Sequence, residues 1–170
     1  VAVKSGKGSI IYDIEGKRYI DMGSGIATNS FGICDDEWTK AITAQLSEYA
    51  HVSNLYYSEP QVKLAELLCR RTGMKKIFFG NSGAEANEGA IKAARKYASD
   101  NGKPSQKIIT LVNSFHGRTV TTLSATGQDV FHHDFGPFTE GFDYAPANDI
   151  EAIQEKMFKD GKPDCAAVMV

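Results

Sequence analysis

Residues 77–84 read Ile-Phe-Phe-Gly-Asn-Ser-Gly-Ala, and this stretch decides the fold. The apolar run at residues 77–79 is typical of a buried strand, and the small residues after it are typical of a tight turn. The alanine-rich segment from Glu85 to Ser99 then predicts a helix that ends in the Asn-Gly-Lys-Pro sequence at residues 101–104. A strand that leads through a tight turn into a helix is the building unit of an α/β protein.

The same alternation continues along the chain. Residues 108–112 predict a second buried strand, and residues 165–170 predict a third. Asn148 is expected to cap the helix between them, which ends near Gly161 and Pro163. We therefore predict an α/β fold with a mainly parallel sheet flanked by helices, in which residues 119–125 form a short helix or turn and residues 128–144 are irregular.

The N-terminal part has a different pattern. Residues 10–14 and 18–22 are apolar segments on either side of a glycine-containing turn, which predicts a β-hairpin. Residues 36–50 predict a helix with one apolar stripe directed to a core (Trp38, Ile42, Leu46 and Tyr49). Ser58 is expected to cap the next helix, which ends at Gly73.

Composition excludes several classes of protein. The chain has 170 residues, 42% hydrophobic and 24% charged, with a formal net charge of −2, so it lacks the basic field of a nucleic-acid-binding domain. No apolar run approaches the roughly 20 residues that span a bilayer, and residues 1–9 lack the apolar region of a secretory signal. The three cysteines are far apart and form no pair, so we expect buried, reduced thiols in a cytoplasmic protein. The chain begins without Met and ends within an apolar run, so we expect that it is a fragment.

The turn at residues 80–84, called here the glycine turn, is a candidate anion-binding site. The first amides of a helix have no partner within the helix, and the helix dipole places partial positive charge there. Small residues allow a phosphate to approach these amides closely. The sequence is neither a nucleoside-triphosphate loop nor a dinucleotide fingerprint. The alternative is a plain tight turn in which glycine only supplies backbone freedom.

Residues 113–119, called here the aromatic loop, follow the second predicted strand and include Phe115 and Arg118. The carboxyl ends of parallel strands meet at one edge of a sheet, so we expect this loop and the glycine turn to face the same crevice. There Phe115 could stack on a planar ring, and the Arg118 guanidinium could bind a carboxylate with two parallel hydrogen bonds. The alternative places Phe115 in the core and leaves Arg118 as a solvated surface charge.

These two segments resemble motifs of the class III, fold-type I pyridoxal-phosphate-dependent aminotransferases. Residues 81–88 (Asn-Ser-Gly-Ala-Glu-Ala-Asn-Glu) resemble the S-G-[AT]-E-A-x-E turn of that family. Residues 113–119 (Asn-Ser-Phe-His-Gly-Arg-Thr) resemble its F-[HW]-G-R-T motif. The resemblance extends along the whole chain, and residues 123–128 and 141–144 are most similar to the acetylornithine branch.

The resemblance implies a role for specific residues. The amides of Gly83 and Ala84 would bind the phosphate of pyridoxal 5′-phosphate, Phe115 would stack against its pyridine ring, and Arg118 would bind a substrate carboxylate. His116 and Gly117 belong to the motif without an assigned chemical role. Residues 1–50 would form the N-terminal segment of the small domain, and residues 51–170 the first part of the large cofactor-binding domain.

The resemblance also implies the activity. The complete enzyme would transfer the δ-amino group of N2-acetylornithine to 2-oxoglutarate, a step of arginine biosynthesis, as a cytoplasmic homodimer with shared active sites. The family's Schiff-base lysine is expected beyond Val170, so we assign no catalytic residue and expect the 170-residue chain to be inactive alone.

Other functions remain open at this point. Class III enzymes that act on ornithine, succinylornithine or 4-aminobutyrate share both motifs. A non-catalytic phosphate-binding α/β domain and an inert structural part of a longer chain are further alternatives. His132, His133 and Asp134 could suggest a metal site, but adjacent histidines in a loop are poorly placed to bind one ion, so we predict a solvated surface and no metal.

Overall fold

The computed structural model describes residues 1–103 and 105–170. Contacts divide the chain into two compact units, Val1–Leu67 and Leu68–Val170. The boundary after residue 50 that the family resemblance implies stays a prediction. The helix stop expected at residues 101–104 includes Pro104, which lies outside the described residues.

The first unit contains an antiparallel sheet in the order β1–β2–β3. The predicted hairpin is confirmed as β2 and β3, paired from Ile10 with Ile20 to Tyr12 with Arg18. The Asp13 carboxylate stabilises the turn because it accepts hydrogen bonds from the amides of Glu15 and Lys17. The preceding strand β1 was not predicted. The strands of this unit are β1 (Val3–Lys7), β2 (Ile10–Asp13) and β3 (Arg18–Ile20).

The two predicted helices of the N-terminal part, α2 (Asp36–Glu48) and α3 (Glu59–Thr72), end within two residues of the expected positions, but the expected burial of α2 is wrong. The apolar stripe of α2 is exposed at Trp38, Ile42 and Leu46. Helical spacing determines which side chains share a face, but it does not specify whether another part of the protein packs on that face. The helices are α1 (Ser24–Ala27, a single turn with positive φ), α2 (Asp36–Glu48) and α3 (Glu59–Thr72), of which α3 extends into the second unit.

The second unit contains the predicted parallel sheet, with strand order β5–β4–β8. Strand β4 lies at the centre and pairs in parallel with β5, from Ile108 opposite Phe142 to Leu111 opposite Ala145. On its other side, Ile108 lies opposite Ala167. The strands are β4 (Ile108–Leu111), β5 (Phe142–Ala145) and β8 (Ala167–Val168).

Three expectations about strands are wrong. Residues 77–79 form no strand in the described part of the chain, and Phe78 is 69% exposed. An apolar run shows a preference for burial, but a strand also needs a neighbour for its main-chain hydrogen bonds. The last strand is only two residues long and partly exposed, whereas a longer buried one was expected at residues 165–170. Residues 128–144, expected to be irregular, contain a 3₁₀ turn at Asp129–Phe131 and the start of β5.

The helices of this unit surround the central strand. The N-cap of the last helix is Asp149, whose side chain accepts from the Ala152 amide at 2.9 Å, and not Asn148 as expected. Both residue types cap helices well, so the pattern alone does not separate neighbours. A short hairpin after this helix was not predicted. The elements are α4 (Gly83–Asp100), α5 (Val120–Ala125), α6 (Ile150–Met157), β6 (Phe158–Lys159) and β7 (Lys162–Pro163).

The core of the second unit lies between the central strand and the helices α4 and α5. Ile91 from α4, Ile108 from β4 and Ala125 from α5 form one buried apolar cluster. The cysteines are free thiols, but the expectation of burial is wrong, because Cys34 is exposed and Cys69 and Cys165 are only partly buried. No helix in the described residues is long and apolar enough to cross a membrane.

Candidate functional site

The glycine turn ends in a capped helix. Ser82, the N-cap of α4, accepts a hydrogen bond from the Glu85 amide at 3.2 Å. The Glu85 carboxylate in turn accepts from the Asn81 amide. This Ser-x-x-Glu capping pattern starts the helix at Gly83, two residues before the predicted start.

The cap leaves two backbone donors free. In the described residues, the amides of Gly83 and Ala84 have no hydrogen-bond acceptor within the chain, as expected for the first two positions of a helix. A Cβ atom added to Gly83 would meet no atom within 4 Å, so the space beside Gly83 is open. The 18-residue helix behind them contributes its dipole to the same point. These features fit a phosphate group.

The aromatic loop begins at the carboxyl end of the central strand. The Asn113 amide donates to the Gly127 carbonyl at 2.7 Å, and the Gln128 side chain donates to the Ser114 carbonyl at 3.0 Å. These bonds attach the start of the loop to the segment that follows α5. The main chain of the loop is therefore held by two hydrogen bonds before it reaches Phe115.

The structure places the aromatic loop directly against the start of α4. A Cβ atom added to Gly117 would lie 2.8 Å from Ala84 Cβ and 2.6 Å from Thr122 Oγ1. The Asn87 side-chain amide also donates to the His116 carbonyl at 2.8 Å, and the Thr119 hydroxyl donates to the Glu88 carboxylate. The two segments are therefore in contact, although residues 77–79 form no strand, and the common crevice that they were expected to face stays a prediction. The contacts between α4 and the aromatic loop bring the two segments together.

His116 is the buried member of the loop, with only 6% of its surface exposed. Its amide donates to the Thr126 hydroxyl at 3.0 Å, and its Nε2 has no hydrogen-bond partner among the described residues. Burial lowers the pKa of the imidazole, because the charged form is poorly solvated there. The residue thus acts as a neutral packing group behind the exposed part of the loop.

Phe115 and Arg118 lie on the exposed side of the loop. Phe115 is 52% exposed, so it is not the core residue that the alternative interpretation required. The Arg118 guanidinium carbon lies 4.3 Å from the centre of the Phe131 ring and 5.7 Å from that of Phe115. In the described residues, no carboxylate lies within 4.0 Å of this guanidinium. Its hydrogen-bond donors are therefore available to a carboxylate ligand.

Three residues near the site had no predicted role. Asn87 and Glu88 lie in the quoted motif, but only the structure shows that they bind the aromatic loop. Phe131 lies in the segment expected to be irregular, and no periodicity or motif in the sequence singles it out. The Ser82 cap, by contrast, could have been found from the Ser-x-x-Glu spacing.

The residues present fit a ligand that has a phosphate, a planar ring and a neighbouring carboxylate. Open space lies beside Gly83, and the exposed residue Phe115 follows on the adjoining loop. The Arg118 guanidinium lies beside the Phe115 ring and, within the described residues, has no carboxylate partner. In the described residues, no group of three or more potential metal ligands occurs. This arrangement in an α/β fold fits an anion-binding site, and the roles expected of Gly83, Ala84, Phe115 and Arg118 stay predictions.

Comparison with known proteins identifies the family. The family model of the class-III aminotransferases matches residues 1–170, so the chain belongs to this family. Class III aminotransferases use pyridoxal 5′-phosphate.

Two similar curated relatives are acetylornithine aminotransferases. That of Haemophilus ducreyi is 51% identical over 158 residues, which cover 92% of this chain and 40% of the relative. That of Methanocaldococcus jannaschii is 49% identical over 156 residues, which cover 91% and 39%. The chain thus spans about 40% of the length of these relatives.

Solved structures have the same fold. The ornithine aminotransferase of Toxoplasma gondii superposes with a TM-score of 0.91 at 29% identity, and the match covers 99% of this chain and 40% of that one. It was crystallised with partial occupancy of pyridoxal phosphate at its active site. An aminotransferase of Bacillus anthracis superposes with a TM-score of 0.80 at 34% identity, covering 94% and 36%.

Proposed function

We propose that this chain forms the phosphate-binding, ring-stacking and carboxylate-binding part of an acetylornithine aminotransferase. The reaction is transfer of the δ-amino group of N2-acetylornithine to 2-oxoglutarate. The single observation that carries the proposal is the packing of Gly117 against Ala84, which joins the aromatic loop to the start of α4. The names of the relatives at about 50% identity support the choice of substrate.

The start of α4 binds the cofactor phosphate. The amides of Gly83 and Ala84 donate to phosphate oxygens, and the dipole of α4 stabilises the negative charge. Because Gly83 has no side chain and open space beside it, the phosphate can approach the backbone. The Glu85 carboxylate is occupied by the Asn81 amide, so it does not compete for these two donors.

Phe115 binds the planar ring of the cofactor. Its half-exposed side chain offers an apolar surface against which a pyridine ring stacks. When bound, the cofactor supplies an electron sink for the negative charge that forms on the substrate carbon. Phe115 holds the ring in one plane and excludes water from one side of it.

Arg118 binds the substrate carboxylate. Its guanidinium has no carboxylate partner in the described part of the chain, and its planar fork matches a carboxylate in geometry and charge. The bound carboxylate orients the substrate, so that its amino group reaches the cofactor. The lysine that binds the cofactor covalently lies outside these 170 residues, and the complete enzyme is a cytoplasmic homodimer with shared active sites.

The test is replacement of Arg118 by lysine in the full-length enzyme. Lysine keeps the charge but loses the planar fork, and a hydrogen bond to a charged group contributes about 1.5–3 kcal/mol. We therefore expect kcat/KM for N2-acetylornithine and for 2-oxoglutarate to fall by about 10- to 100-fold.

Arg95→Lys is the matched control. Arg95 donates to the Glu140 carbonyl and lies over the Phe142 ring, 5.2 Å from its centre, so it makes a similar set of contacts outside the candidate site. Its replacement should leave kcat/KM unchanged. If Arg118→Lys has no larger effect than this control, Arg118 does not bind the substrate carboxylate.

A second candidate is a class III enzyme with a different amine donor, which the superposition on ornithine aminotransferase favours. Comparison of kcat/KM for N2-acetylornithine, ornithine, N2-succinylornithine and 4-aminobutyrate separates these possibilities. A preference for any donor other than N2-acetylornithine would overturn the proposed substrate. Absence of cofactor binding would favour a non-catalytic phosphate-binding domain.

A further inference from the structure

Phe131 lies under the guanidinium group that the proposed function assigns to the substrate. The Arg118 guanidinium carbon is 4.3 Å from the centre of the Phe131 ring. The Phe115 and Phe131 rings are 5.7 Å apart and meet edge to face, at an interplanar angle of 73°. One aromatic ring therefore contacts both the ring-stacking residue and the carboxylate-binding residue of the candidate site.

This contact orients Arg118 without using its hydrogen-bond donors. A guanidinium that lies over a ring is attracted through its flat face, by a cation–π interaction of about 0.5–2 kcal/mol. The N–H groups point outward in the guanidinium plane, so they stay free for two parallel bonds to a carboxylate. A carboxylate partner from the protein would orient the side chain equally well, but it would occupy those donors.

Phe131 itself is held on a defined support. It ends the 3₁₀ turn Asp129–Phe131, in which its amide donates to the Gln128 carbonyl at 3.1 Å. The Gln128 side chain binds the Ser114 carbonyl, directly before Phe115. The His132 Nε2 atom contacts the Leu123 carbonyl at 2.9 Å on the other side of the turn. The turn is thus attached both to the aromatic loop and to α5.

We infer that Phe131 is a positioning residue that orients the Arg118 guanidinium for carboxylate binding. This inference rests on the proposed function, because it takes Arg118 as the residue that contacts the substrate. A guanidinium that is already oriented loses less side-chain entropy when the carboxylate binds. Phe131 therefore contributes to the affinity for carboxylates, although it does not contact them.

The experiment measures carboxylate binding directly in the cofactor-loaded, full-length enzyme. Glutarate is the probe, because it is a dicarboxylate without an amino or keto group, and its Kd is measured by titration calorimetry. Phe131→Leu removes the aromatic ring, and we expect Kd to rise by about 2- to 30-fold, the equivalent of the cation–π range. KM for 2-oxoglutarate should rise in parallel with little change in kcat, since the ground state and the transition state lose the same interaction.

Three further variants separate positioning from simple packing. Phe131→Tyr keeps the ring and should restore Kd to within about 2-fold of the wild type. Phe142→Leu is the matched control, because the centre of the Phe142 ring lies 5.2 Å from the Arg95 guanidinium carbon, outside the candidate site; the glutarate Kd of this variant should not change. In an Arg118→Ala background, Phe131→Leu should have no further effect on Kd, because its partner is already absent.

Each outcome has one interpretation. If Arg118→Ala leaves the glutarate Kd unchanged, the proposed carboxylate site fails, and the role of Phe131 fails with it. If Arg118→Ala weakens binding but Phe131→Leu does not, only the role of Phe131 is refuted. An equal effect of Phe131→Leu with and without Arg118 would show that the ring acts through packing alone. If the leucine variant fails to fold, Phe131→Met keeps the side chain long and apolar without the aromatic face and has the same expected result.

Discussion

Replacement of Gly117 by alanine tests the contact that joins the two parts of the candidate site. Gly117 has a φ angle of +138°, which side-chain-bearing residues rarely adopt. Its added Cβ would lie 2.8 Å from Ala84 Cβ, 3.1 Å from Ala84 Cα and 2.6 Å from Thr122 Oγ1. Carbon atoms in contact are ordinarily about 3.5–4.0 Å apart, so either the loop or the start of α4 must move by roughly 1 Å.

The magnitude follows from two separate costs. The unfavourable backbone conformation costs about 1–3 kcal/mol, and the added methyl group in a filled space costs about 1–3 kcal/mol more. We therefore expect Gly117→Ala to lower the free energy of unfolding by about 2–6 kcal/mol. Because Ala84 carries one of the two proposed phosphate-binding amides, the affinity for pyridoxal 5′-phosphate should fall as well.

Gly73→Ala is the matched control. Gly73 also has a positive φ, of +74°, but an added Cβ would meet no atom within 4 Å. This variant has only the backbone cost, about 1–2 kcal/mol, and it should not change cofactor affinity. Urea unfolding measures the first quantity, and the absorbance of the bound cofactor during titration measures the second. Equal destabilisation by both variants, with unchanged cofactor affinity, would refute the contact between the loop and α4.

Two further predictions concern single residues of the site. Gly83→Ala adds a methyl group to open space at the start of a helix, so the free energy of unfolding should stay the same or rise by up to about 1 kcal/mol. The affinity for pyridoxal 5′-phosphate should fall, because the phosphate is proposed to occupy that space. Unchanged cofactor affinity in a calorimetric titration would exclude phosphate binding there. Burial lowers the pKa of His116 below its ordinary value of 6.5, so the unfolded chain binds more protons than the folded protein and stability should decrease as the pH falls through about 6.5. Relative to His116→Gln, the wild type should lose at most about 1.4 kcal/mol of unfolding free energy per pH unit in that range. Urea titrations between pH 7.5 and about 5 measure this loss. Parallel pH profiles of the two proteins would contradict the neutral, buried imidazole.

The sequence by itself determined the local elements, because the physics of those elements is local. Glycine and the turn-forming residues at 15–17 predict the hairpin of β2 and β3, and Asp13 then binds the amides of that turn. Helical spacing and caps predict α2, α3 and α4 to within about two residues. The motifs at residues 81–88 and 113–119 also identified the family, which the match over residues 1–170 shows.

Only the tertiary structure decided what these elements contact. Residues 77–79 are as apolar as a strand, yet they form none in the described residues, because strand formation depends on a neighbour that no local pattern specifies. The position of Phe131 under Arg118 depends on a turn that is held by Gln128 and His132, and no pattern in the sequence indicates these contacts. The site is built where Gly117 meets Ala84, 33 positions apart in the sequence, and such a contact depends on packing in three dimensions and not on any property of either segment alone.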